Sequence, residues 1–184
     1  PFSDAFPDHL QAAMAGFGEL SGREYAPYSY SGHPEAERVV VLMGSACGTV
    51  AETLEGLLAG GERVGMVQVR LFRPFVPALF CQQLPPSCRA VAVLDRCKEP
   101  GASGEPLYLD VVASLAEAWG EVSDGRPLPL VIGCRYGLGS KEFTPAMAKA
   151  VLDQLGTLQD RPAGAVQQRH FSVGIDDRSE EHTS

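Results

Sequence analysis

The features that would announce autonomous chemistry are missing from this sequence. No two of its five cysteines, Cys47, Cys81, Cys88, Cys97 and Cys134, stand in a C-x-x-C pair. Short ligand spacings of that kind build zinc and iron–sulfur sites, so neither is expected within the chain. There is no Walker loop ending in G-K-[ST] and no G-x-G-x-x-G, which removes the two commonest phosphate cradles. The four histidines, His9, His33, His170 and His182, are scattered and give no metal pattern. No Ser–His–Asp or Cys–His constellation is suggested. No apolar run approaches the ~18 residues that cross a bilayer, so no membrane partner is expected. A basic, then apolar leader is absent too. The chain starts Pro1-Phe2-Ser3-Asp4 without an initiator Met, and it reads as a fragment or an excised domain.

Positive charge is also scarce. Fifteen Lys and Arg against 23 Asp and Glu leave a net charge of −8, which argues against a nucleic-acid partner. An odd cysteine count without a leader reads as reduced thiols in a cytoplasmic protein. What is present is a globular chain. Its 184 residues are 45% hydrophobic, enough for one domain with a real core, with or without extensions.

Residues 8–20 predict a helix capped by Asp8, with Leu10, Met14, Phe17 and Leu20 on one face and Gly22 beyond its end. Residues 25–32 alternate aromatic and polar, with Tyr28 and Tyr30 on one face, as an edge strand does. Four apolar runs, at 39–43, 64–69, 90–94 and 128–132, predict strands buried on both faces. Helices fall between them. One spans 50–58, with Thr49 and Glu52 as a capping box and Gly60-Gly61 as a stop. A short one begins near Pro77. The next is opened by Pro106, lined by Tyr108, Val111, Val112, Leu115 and Trp119, and ended by Gly120. The last follows Thr144-Pro145, with Met147, Val151, Leu152 and Leu155 inward. A polar linker at 157–169 leads to a candidate final strand at 171–175. This alternation predicts a parallel sheet with helices on both faces and right-handed crossovers.

The strand exits then gather along one edge, where open α/β sheets meet their ligands and partners. The exit 95–110 is the richest, with charges of both signs, glycines and prolines. The turn at 44–49 has two readings: an anion cradle of backbone N–H groups, or a tight turn that needs glycine. Cys47 beside it is either a thiol with thiolate character or a packed, unreactive one. Arg70 and Arg73 either clamp an anion or form salt bridges to Glu99, Glu105 or a neighbouring domain. Lys98, Glu99 and Glu105 read as an inter-domain polar network, and Lys141 and Glu142 as a solvated or ion-paired loop tip. In total Arg70, Arg73, Arg96, Lys98, Glu99, Glu105, Lys141 and Glu142 are candidate docking residues, and no catalytic, cofactor or metal residue is assigned.

The loops also carry a resemblance. Met43-Gly44-Ser45, Val69-Arg70-Leu71-Phe72-Arg73-Pro74-Phe75, Leu94-Asp95-Arg96, Lys98-Glu99-Pro100-Gly101, Gly104-Glu105-Pro106-Leu107-Tyr108-Leu109-Asp110 and Tyr136-Gly137-Leu138-Gly139-Ser140-Lys141-Glu142-Phe143-Thr144-Pro145 closely resemble pyruvate:ferredoxin (flavodoxin) oxidoreductase. The match runs in order over residues 17–177. It implies the second core domain of a large enzyme, similar to the C-terminal domain of transketolase. That fold is a three-layer α/β/α with a mostly parallel five-stranded sheet and one antiparallel edge strand. The whole enzyme would decarboxylate pyruvate oxidatively on thiamine diphosphate and Mg2+, form acetyl-CoA from CoA, and pass electrons through [4Fe–4S] clusters to ferredoxin or flavodoxin. It would be a homodimer, and its cofactors would sit on other domains of the same polypeptide. On this resemblance residues 1–24 trail in from a preceding domain, 25–169 form the core domain, and 170–177 begin the passage to the next. The tail 178–184 departs from the family and resembles translated sequencing adapter, so no function is expected of it.

Overall fold

Successive side chains of a strand point to opposite faces, so a run such as Val39-Val40-Val41-Leu42 must bury residues on both faces at once. The computed structural model, which describes residues 2–159 and 169–174, shows this division. The tail 178–184, His182 and most of the linker lie outside the described residues. Strands β1 (Tyr28–Gly32), β2 (Arg38–Met43), β3 (Val64–Val69), β4 (Ala90–Asp95), β5 (Leu130–Tyr136) and β6 (His170–Val173) form one sheet in the order β1-β3-β2-β4-β5-β6. Only β1 pairs antiparallel, against β3; the other pairs are parallel.

Helices α2 (Ala46–Ala59) and α5 (Pro145–Gln159) cover one face, packing Val50, Leu54, Leu57, Val151, Leu152 and Leu155 on Val40, Leu42 and Ile132. Helices α3 (Pro77–Cys81) and α4 (Pro106–Val122) cover the other, packing Phe80, Leu107, Val111, Leu115 and Trp119 on Val39, Val41, Val91 and Val93. The three-layer, mostly parallel architecture is the one expected. Through α2 the chain passes from β2 to β3 in one direction. Through α3 and α4, on the opposite face, it passes in the other, so these crossovers share one hand. The connection to β6 runs through residues outside those described.

Several local expectations are corrected. The sheet has six strands rather than the five that the resemblance implies, because the final strand expected at 171–175 forms at His170–Val173 and docks parallel on the free edge of β5, with the Gly133 N–H donating to the Arg169 carbonyl at 2.8 Å. Strand β5 runs to Tyr136, four residues beyond the predicted 132, because ladder pairing with β4 carries it through Gly133 and Arg135. Helix α2 starts at Ala46 instead of residue 50. Gly44, at φ 80°, turns the chain sharply, and the N–H groups of Cys47 and Gly48 bond back to Gly44 and Ser45. Thr49 therefore lies inside the helix, its carbonyl accepting from the Thr53 hydroxyl, and no capping box forms. Helix α1 runs Phe2–Ser21 and passes through Asp8. Its apolar side is not a core face: Phe17 is 49% exposed and Leu20 89%.

Candidate functional site

The site is assembled by the C-terminal ends of the strands. Strand order reverses between β2 and β4: the chain leaves β2 toward β3 on one side, while β4 continues toward β5 on the other. The two exits diverge there and leave a crevice, which is where an open α/β sheet takes its ligands. A cleft of about 380 Å³ occupies that position, walled by Met43, Phe72, Leu94 and Tyr136, with Asp95, Arg96 and Cys97 at its base and rim. A second, of about 300 Å³, adjoins it across Ser45, Arg96 and Tyr136 and reaches Lys141 and Glu142.

The exit of β4 is held by its own carboxylate. Asp95 is buried and accepts N–H bonds from Leu107 and Tyr108, both at 3.1 Å. It thereby satisfies two of the orphan donors in the first turn of α4, although twelve residues precede the first of them. Burial pushes the Asp95 carboxyl up; the two N–H bonds oppose that, and Glu105 and Asp110 reinforce it. Glu105 is buried as well and accepts from Arg135 Nε at 2.5 Å, across the two strand exits. The loop 96–104 is thus clamped at both ends by contacts that sequence reading did not supply.

The structure places the remaining candidates as follows. Arg70 donates to Ser29 Oγ and Gln68 Oε1, both at 2.6 Å, and lies over the Tyr25 ring. Arg73 pairs with Asp110 at 2.5 Å and stacks on Phe72. Neither arginine reaches Glu99 or Glu105, the intramolecular partners anticipated for them, because Glu105 is already paired with Arg135. Arg96, Lys141 and Glu142 are exposed and line the clefts, and Lys98 and Glu99 are exposed on the loop beside them. Asp95, Asp110 and Arg135 were not read as network members. Asp110 closes the charged exit of β4, but nothing local ties it to Arg73, 37 residues away.

No group of three or more His, Cys, Asp or Glu among the described residues could hold a metal. Cys81, the last residue of α3, and Cys88 are buried in the core on the α3/α4 face, and Cys47 of α2 and Cys134 of β5 in the core on the α2/α5 face. Burial pushes the Cys81 thiol up to about 11 and those of Cys88 and Cys134 up to about 12. Cys47 is buried in the core and its thiol is raised by that burial as well, so of the two readings the packed thiol holds.

The family model for pyruvate:ferredoxin oxidoreductase core domain II matches residues 36–145. This chain belongs to that family. The pyruvate-flavodoxin oxidoreductase of Rhodospirillum rubrum is 54% identical over 178 residues, covering 96% of this chain and 14% of that protein. The corresponding protein of Trichormus variabilis is 52% identical over all of this chain, again covering 14% of its own length. The pyruvate:ferredoxin oxidoreductase of Moorella thermoacetica is 47% identical over 96% of this chain and 14% of its length. The chain therefore spans about one-seventh of these curated relatives, and it corresponds to their core domain II. Among solved structures, a 2-oxoglutarate:ferredoxin oxidoreductase from Magnetococcus marinus is similar at a TM-score of 0.46 and 17% identity, covering 81% of this chain and 23% of that one.

Proposed function

We propose that this chain is a core segment of a pyruvate:ferredoxin or pyruvate:flavodoxin oxidoreductase, serving there as a docking domain without catalytic residues of its own. The observation that carries this is the identity of 47–54% across nearly the whole chain to enzymes of which it covers 14%. The whole enzyme would convert pyruvate and CoA to acetyl-CoA with thiamine diphosphate, Mg2+ and [4Fe–4S] clusters carried on its other domains. Ferredoxin or flavodoxin would take the electrons, and the enzyme would work as a cytoplasmic homodimer. Residues 25–169 would be the docking domain proper, 1–24 its approach from the preceding domain and 170–177 its exit. The concentration of charged loops around two clefts on one sheet edge supports a docking role.

Extending the reading frame in the source DNA on both sides tests this. Flanking thiamine-binding and cluster-cysteine motifs are expected. The expressed full-length polypeptide should reduce a viologen dye in a pyruvate- and CoA-dependent way. Stop codons at both ends of the domain would instead favour a free-standing module that binds a nucleotide or CoA at its glycine-rich loops.

A further inference from the structure

The C-terminal edge carries cations that this domain does not neutralise. The ion pairs among the described residues use Arg38, Arg63, Arg73, Arg89, Arg135 and Lys149. Arg96, Lys98 and Lys141 form none with the described residues, although the chain as a whole has a net charge of −8. Arg96 is the best placed of the three, since it lines both clefts. Its Nε donates to the Gly137 carbonyl at 3.3 Å, which fixes one edge of the guanidinium. Its terminal nitrogens have no acceptor among the described residues. Gly137 makes this seat possible: its φ is 60°, and a Cβ there would stand 3.0 Å from Arg96 Nε. A guanidinium held by one edge presents the other as a fork for a carboxylate. Beside it, Met43, Phe72, Leu94 and Tyr136 form an apolar slot. Glu142 is the one carboxylate lining the outer cleft, against Arg96 and Lys141.

We infer that the paired clefts at the β2/β4 divide receive an acidic–apolar segment of the same polypeptide, from outside these 184 residues. One carboxylate of that segment pairs with Arg96, and a neighbouring large apolar side chain fills the slot. This deepens the docking role proposed above and rests on it. The occupant is a chain segment rather than a free acid because the surface is broad. The rim adjoins the first turns of α4, where Leu109 is 40% exposed and Val112 37%, and the relatives supply the remainder of a much longer chain.

Cys97 reports on occupancy. It lines the inner cleft, and the other four cysteines of this domain are buried. The experiment uses the full-length polypeptide, labels it with a maleimide, and follows the peptide containing Cys97 by mass spectrometry. Labelling of Cys97 is expected to be at least about tenfold slower in the native protein than in Arg96→Glu, a tenfold ratio being the modest end of a single lost charge contact. Arg96→Lys, which keeps the charge, is expected to retain most of the protection. Equal labelling of native protein and Arg96→Glu would overturn the inference. Protection that appears only when hexanoate is added would overturn it in favour of a small-acid site. Rapid native labelling in a polypeptide that oxidises pyruvate overturns this inference alone. An extended frame without thiamine and cluster motifs overturns the docking-segment reading beneath it.

Discussion

Tyr30 and Gly65 behave as one unit at the residue scale. The tyrosine ring lies over Gly65 of the neighbouring strand, where a Cβ would collide with it, and the Tyr30 hydroxyl donates to the His33 carbonyl at 2.5 Å. Gly65→Ala is expected to destabilise the domain by about 1–3 kcal/mol through overpacking, read from urea unfolding. Gly65→Ala combined with Tyr30→Ala should relieve most of the collision. Arg135 and Glu105 are a second pair. Arg135→Ala leaves a buried carboxylate without its cation and should cost about 2 kcal/mol. Adding Glu105→Gln to that variant should recover part of the loss, which chemical denaturation of the double variant measures. Asp95 adds a pH dependence. Its folded pKa lies above its ordinary value, so the folded state keeps the proton to higher pH than the unfolded chain does. That contribution favours folding at low pH and is lost as pH rises through the raised value. The melting temperature of the native chain relative to Asp95→Asn should therefore fall as pH is raised from about 4.

At the scale of elements, the interior strands were legible because their runs are continuous and β-branched: Val39 to Leu42 and Ala90 to Leu94 allow no other economical placement. Strand β5 was legible only in its first half. Gly133 and Arg135 interrupt its apolar run, and what keeps them in the strand is pairing with Val93 and Asp95 on β4, a long-range contact. The start of α2 was misread for a related reason, since the chain offered a better local cap at Thr49 than at the Ser45 position it uses. The clamp on loop 96–104 was invisible, because its bonds join Asp95 to Tyr108 and Glu105 to Arg135 through tertiary geometry. Strand β6 offers a test at this scale. His170 packs against the edge of the Tyr108 ring at 4.8 Å, and a Cβ on Gly133 would come within 2.7 Å of its Nδ1. Gly133→Ala should accordingly loosen β6 first. Hydrogen exchange at residues 170–173 should speed up while β2 and β4 keep their protection; uniform loss of protection would show that β6 does not detach separately.

For the whole molecule, the two ends of the sheet differ in degree. At the N-terminal end three arginines are paired within the domain: Arg38 pairs with Glu62 at 2.8 Å and donates to the Leu152 carbonyl, and Arg63 and Arg89 both reach Glu37, while Arg126, beside Arg89 in a cleft at this end, forms no ion pair among the described residues. At the C-terminal end Arg96, Lys98 and Lys141 stay unpaired among the described residues, around clefts walled by apolar side chains. A domain that meets its neighbours through one end has this distribution. Hydrogen exchange across the full-length polypeptide tests that most directly. Loops 70–76, 96–105 and 137–144 at the C-terminal end should exchange about tenfold or more slowly than loops 33–37 and 124–129 at the other end. Fast exchange at all three C-terminal loops, with protection confined to the opposite end, would contradict the account.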